Sequence, residues 1–183
     1  MNIIQKSTPH FQIGRRGYKP EIIVIHIMDG SLIGTDSWFN SPISQVSAHY
    51  GIGQTGEIHQ YVKEENESFH AGVVKNPTFS LYKGAGINPN WYTIGIEHEG
   101  KPDSVWSPEM IKASVELIKD ISKRWNIPID RDHIIGHYQI RSTKPNCPAF
   151  NKSIIDSLVE LSKPSQVEQA IVLLEQAIKI LKT

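Results

Sequence analysis

The chain has 183 residues, of which 39% are hydrophobic and 21% charged, with nineteen Lys plus Arg against nineteen Asp plus Glu. That suits one globular domain with a short appendage and argues against a disordered chain. Zero net charge gives no global field toward nucleic acid, and no apolar run reaches the roughly 18–20 residues that span a bilayer.

The start, Met1 to Lys6, lacks the apolar core of a secretory signal, so synthesis and folding in the cytoplasm are expected. Residues 1–20 read as a polar N-terminal arm. Glu21 to Met28 is nearly continuous in Ile and Val. Such a run predicts a strand buried on both faces, hence a central sheet covered by helices. Asp29-Gly30-Ser31 ends it with a turn. Residues 35–49 read as a short helix and a loop. Alternation from Tyr50 to Val62 around Gln54-Thr55-Gly56-Glu57 predicts a hairpin. Residues 64–92 are irregular, and so long an irregular stretch in a compact domain is usually functional.

Thr93 to His98 is a second buried strand. Ser107, Pro108 and Glu109 form a helix start, and Ile111, Val115, Ile118, Ile121 and Trp125 recur at helical spacing, so 108–125 is an amphipathic helix. Asn126-Ile127-Pro128 ends it. Ile134 to His137 is a third strand, 138–149 a loop, and Asn151 to Leu161 a helix. Lys163-Pro164 is a break. Ser165 and Glu168 then make a capping box, and Val167, Ile171, Leu174, Ile178 and Leu181 form one stripe. This terminal helix is expected to self-associate as a homo-oligomer or to dock on the domain. The fold expected is α/β: a mixed central sheet of five or six strands with helices on both faces, and an extra C-terminal helix. Two parts are expected, a catalytic domain over 1–162 and the helix over 163–183.

The lone cysteine, Cys147, excludes an internal disulfide framework. A single Cys is ordinarily a small buried hydrophobe. Here, however, three expected strands end in titratable residues, His26, Glu97 and His137, and Cys147 follows in a Pro-rich loop. Ligands bind at strand ends where loops diverge. Two imidazoles and a thiolate make a three-ligand set for Zn²⁺, with the fourth position left for water. Glu97 would then move a proton between that water and a leaving amine. A Cys147 nucleophile with His137 as base satisfies the same residues, and spacing does not separate the two.

Five segments occur in the order seen in one family: Val24-Ile25-His26, Ser47-Ala48-His49-Tyr50-Gly51-Ile52-Gly53, Phe69-His70-Ala71-Gly72, Ile94-Gly95-Ile96-Glu97 and Ile135-Gly136-His137. Over residues 20–155 the chain resembles the zinc-dependent N-acetylmuramoyl-L-alanine amidases, the type-2 family that includes peptidoglycan recognition proteins. The resemblance implies His26, His137 and Cys147 as ligands of one zinc in a groove, Glu97 as the catalytic glutamate, and peptidoglycan as partner. Ala48 stands where other members carry a tyrosine, which favours Glu97. Lys144 is the candidate oxyanion donor, although it lies three residues before Cys147 where the family pattern has two. His70 matches a groove position and is expected to contact substrate; its other role would be to hold the loop. Trp91 and Trp38 are expected to flank the site. His49 and His98 are expected to face away from the metal, and His10, His59 and His133 to be structural or solvated. The ending Pro145-Asn146-Cys147-Pro148 resembles phage and bacterial wall-lytic members, and Cys where recycling enzymes carry Asp points the same way. The resemblance therefore favours an endolysin or autolysin acting on the wall after release or export over a cytoplasmic recycling enzyme. A non-catalytic recognition module is the rival within the family.

Overall fold

A computed structural model describes residues 1–167, 169–171 and 174. The N-terminal arm contributes two short strands, β1 (Ile3–Gln5) and β2 (Phe11–Gln12). The apolar run becomes β3 (Ile22–Ile27), buried at all six positions. Ser31 caps α1 (Leu32–Asn40), its side chain accepting from the Gly34 N–H at 3.1 Å. The helix thus starts three residues before the sequence reading placed it. The hairpin is β4 (Tyr50–Ile52) and β5 (Ile58–Gln60), followed by the two-residue β6 (Glu67–Ser68). After the long irregular segment come β7 (Thr93–His98), α2 (Pro108–Trp125), β8 (Ile134–Gly136) and α3 (Ser153–Ser162). Ser107 caps α2 by accepting from the Met110 N–H at 3.0 Å, and Asn126 closes it in the left-handed conformation at φ 54°.

Six strands form one sheet in the order β1-β5-β4-β7-β3-β8. β4, β7, β3 and β8 are mutually parallel, β5 is antiparallel to β4, and β1 pairs parallel with β5. The sheet is mixed, as expected. β2 and β6 form a separate antiparallel pair.

Strand alternation sorts the side chains. Ile23, Ile25, Ile94 and Ile96 face α2 and α3, where Met110, Leu117, Ile118, Ile121, Ile155 and Leu158 complete the main core. Ile22, Val24 and Ile135 face the other way and pack with Ala71, Phe79 and Tyr92 of the irregular segment. On that second face α1 meets the hairpin: Asp36 accepts from His59 Nδ1 and from the Tyr61 hydroxyl, each at 2.7 Å. Helices therefore cover both faces.

Lys163 ends α3 and Pro164 follows. Gln166, Val167, 169–171 and 174 are helical, and Val167, Ile171 and Leu174 are exposed. The rest of the expected terminal helix lies outside the described residues.

Candidate metal centre

His26 and Glu97 are register partners on the adjacent parallel strands β3 and β7. Both project from the face opposite α2 and α3, at the carboxyl ends of their strands. His137 opens a short 3-10 turn directly after β8, so its ring enters the same space. Cys147 arrives from the following loop, where its carbonyl accepts from the Tyr138 N–H at 3.2 Å. Its Sγ accepts from the Ile27 N–H at 3.5 Å.

One ligand atom from each of His26, His137 and Cys147 lies within 4.8 Å of the others, all three residues being buried. No other group of three such residues gathers among the described residues. Tetrahedral zinc with bonds of about 2.0–2.3 Å sets its ligand atoms roughly 3.3–3.6 Å apart. His26 Nδ1 stands 3.9 Å from Cys147 Sγ, so the donor set fits zinc with a small contraction.

The ring tautomers suit ligation as well. His137 Nε2 lies 3.0 Å from the Ala71 carbonyl. A carbonyl only accepts, so the proton is on Nε2 and Nδ1 keeps its lone pair. Burial pushes His137 down to about 4 and His26 well below the ordinary imidazole range, with neighbouring His137 and His70 adding to the effect at His26. Both rings are therefore neutral, as ligands must be.

Glu97 Oε1 is 3.9 Å from His26 Nδ1, while its Oε2 is buried with no hydrogen-bond partner. An orphaned carboxylate oxygen facing a group of ligands is the kind of exception that calls for a role. Burial raises the Glu97 carboxyl to about 8, against the opposing charge of Lys144. Such a carboxyl, poised near neutrality, can take up and release a proton.

Above these groups opens a cleft of about 450 Å³, lined by Trp38, Phe69, Arg141, Thr143, Lys144 and Asn146 among others. Lys144 is exposed on its rim, and its charge is felt at Glu97, His26 and His137.

Two expected contacts change place. Trp91 does not line the cleft. It stacks near Tyr18 at 5.7 Å, beneath the Arg16 guanidinium at 5.3 Å. The reason is strand direction: Trp91 precedes β7 while Glu97 ends it, a separation of roughly 20 Å in extended chain. Trp38, 49% exposed, is the tryptophan at the cleft. His70 reaches the cleft wall, but both its ring nitrogens are taken, by His26 at 2.9 Å and by Thr93 at 3.0 Å. It stands behind His26, with both ring nitrogens engaged within the protein.

The remaining histidines stay outside the ligand set. His98 faces α2, where Nε2 meets the Ser114 hydroxyl at 2.9 Å and the ring stacks on Trp106 at 4.2 Å. His49 is held by Ser68, Asn66 and the Gly95 N–H. Sequence reasoning missed Asn90, whose side-chain carbonyl accepts from the N–H groups of His70 and Ala71 at 3.3 and 2.8 Å. It anchors the segment behind His26 and His137.

The family model described as N-acetylmuramoyl-L-alanine amidase matches residues 16–150. N-acetylmuramoyl-L-alanine amidase A of Achromobacter lyticus is 40% identical over 105 residues, 56% of this chain and 51% of that protein. The chain thus spans about half the length of that relative. The 1,6-anhydro-N-acetylmuramyl-L-alanine amidase AmpD of Salmonella typhimurium is 28% identical over 181 residues, covering 87% of this chain and 91% of AmpD. A crystal structure of an AmpD derivative matches with a TM-score of 0.67 at 24% identity, over 85% of this chain and 93% of the other. The catalytic domain of XlyA matches at 0.65 and 24%, over 89% and 100%. These two structures share the fold.

Proposed function

The chain belongs to the N-acetylmuramoyl-L-alanine amidase family, and on that premise we propose that it hydrolyses the amide joining N-acetylmuramic acid to L-alanine in peptidoglycan, with one zinc held by His26, His137 and Cys147. The observation that carries this reading is the meeting of three neutral or thiol ligands, within 4.8 Å, beside the unpartnered Glu97 Oε2.

Zinc bound there would polarise the scissile carbonyl and lower the pKa of a water to about 7. Glu97 takes the proton of the attacking water and returns it to the leaving amine. Burial keeps its carboxyl close to the pH at which both transfers run. Lys144, on the cleft rim, supplies positive charge for the oxygen that becomes negative. The cleft aligns the muramoyl peptide, with Trp38 offering a flat apolar surface to sugar or peptide.

The cysteine-nucleophile reading finds less support. An activated thiol needs a lowered pKa, whereas burial first and Glu97 second push Cys147 up to about 12. Its Sγ lies 3.9 Å from His26 Nδ1 and makes no hydrogen bond to His137. The recognition-module reading leaves Glu97 without a task.

The setting we propose is lytic, with the enzyme acting on intact wall. Residues 1–162 form the catalytic domain, and the exposed Val167, Ile171 and Leu174 pair with a second copy. No helix of the described residues is long and apolar enough to cross a membrane.

Zinc analysis and a wall-turbidity assay test the proposal together. The expected result is one zinc per chain and clearing of bacterial walls that stops on chelation and returns with zinc. Cys147→Ser and His26→Ala lose both metal and clearing. Full activity after exhaustive chelation would overturn the zinc reading, and sensitivity to a thiol reagent under those conditions would favour the cysteine mechanism.

A further inference from the structure

His26 differs from the other imidazole ligand in how its proton is placed. His137 donates directly to a carbonyl, but His26 Nε2 meets another imidazole, His70 Nδ1, at 2.9 Å. Two neutral imidazoles can share that contact in either sense, so the pair alone does not fix which nitrogen of His26 is free. The next link decides. His70 Nε2 lies 3.0 Å from the Thr93 hydroxyl oxygen, and that hydroxyl lies 2.8 Å from the Pro89 carbonyl. The carbonyl only accepts, so the single Thr93 hydroxyl proton goes to it. Thr93 must then accept from His70 Nε2–H. With its one ring proton on Nε2, a neutral His70 is left with a lone pair on Nδ1, and this accepts from His26 Nε2–H. His26 Nδ1 is thereby free, 3.9 Å from Cys147 Sγ.

We propose that Thr93 and His70 are positioning residues that set the tautomer of His26 through this one-way chain of hydrogen bonds from the Pro89 carbonyl. The inference adds to the zinc reading and rests on it for the use made of the free Nδ1. The fold has made room for the chain. A Cβ at Gly95 would stand 2.5 Å from His70 Cγ, so glycine at that strand position lets the imidazole lie flat against the backbone. Thr93 and His70 are both buried, so water does not compete for the links.

Three proteins test this: wild type, Thr93→Val and Thr93→Ser. Long-range ¹H–¹⁵N correlation on the metal-free proteins reads the His26 tautomer directly, and competition with a chromophoric chelator reads zinc affinity. Wild type should show His26 protonated on Nε2. In Thr93→Val, His70 loses its acceptor, and both rings should invert so that His26 carries its proton on Nδ1. Zinc affinity should fall about tenfold, the lower end of the effect seen when a ligand's hydrogen-bond partner is removed. Thr93→Ser keeps the hydroxyl and should restore tautomer and affinity to within about twofold of wild type. A wild-type His26 protonated on Nδ1 overturns the proposal whether or not either variant folds. So does a folded Thr93→Val protein with the wild-type tautomer and affinity. The expected tautomers in a chain that takes up no zinc support the hydrogen-bond chain and overturn the zinc reading alone.

Discussion

Replacing Glu97 with glutamine should separate what this residue does for the reaction from what it does to the fold. In the metal-free protein, burial raises its carboxyl from the ordinary 4.5 to about 8. The native state therefore keeps the proton that the unfolded state releases above pH 4.5. Stability from this group is complete below that value and is lost as the pH rises toward 8. Each pH unit in that window costs about 1.36 kcal/mol. The side chain retains 15% exposure, so screening trims the total to roughly 3–4 kcal/mol at pH 8. Glutamine is nearly isosteric and neutral, and relieves this cost. Urea unfolding of the metal-free proteins at pH 5 and pH 8 should show near-equal stability at pH 5, and Glu97→Gln more stable by that margin at pH 8. The same variant should keep its zinc and lose hydrolysis of muramoyl peptides. Parallel stability profiles for the two proteins would refute the claim that burial holds the carboxyl protonated. Such an exchange of stability for activity is common at catalytic sites.

Three further outcomes follow from the packing. His98, driven down to about 4 by burial, is neutral when folded, so its contribution is present above pH 6.5 and lost as pH falls toward 4; in metal-free protein, the stability advantage of wild type over His98→Gln should shrink by roughly 2–3 kcal/mol between pH 7 and 4.5 in denaturant titrations. Gly95→Ala should drive its Cβ into the His70 ring, lowering stability by roughly 1–3 kcal/mol; chelator competition should show weaker zinc binding as well, and unchanged affinity would mean that His70 can yield without disturbing His26. Trp38→Ala should raise KM several-fold with little change in melting temperature, whereas Trp91→Ala should lower melting temperature by several degrees and leave KM alone; steady-state kinetics and thermal unfolding of the pair separate the cleft residue from the packing residue.

The meeting of His26, Glu97, His137 and Cys147 was legible because each of the first three ends an apolar run. A run of Ile and Val with a titratable terminus specifies both a buried strand and the end at which it opens. The side of the sheet was legible too: His98 follows Glu97 and so faces α2. What escaped depended on direction and on loops. Trp91 lies just before the start of β7 while Glu97 lies near its end, and its placement at the site overlooked that order. The orientation of His70 comes from Asn90 and the Thr93 hydroxyl, neither of which has any periodicity to reveal it. β1 was missed because three residues in a polar arm carry too little alternation to register. It exists because the parallel edge of β5 offers unpaired backbone groups.

His26 and Cys147 lie 121 residues apart in the chain. A cation joining them closes a loop around nearly the whole domain, from the central strand to the segment that precedes α3. It would act as a clasp on chain topology as much as a reagent. Its three donors have no local arrangement to bind through before the strands align, since no two of them are sequence neighbours. On the zinc reading, metal capture would depend on the pairing of β3 with β8, which brings His26 beside His137. Once loaded at a thousandfold excess over Kd, such a clasp adds about 4 kcal/mol to the folded state. An enzyme exposed to proteases would gain from this arrangement. The act that would arm it would also lock it.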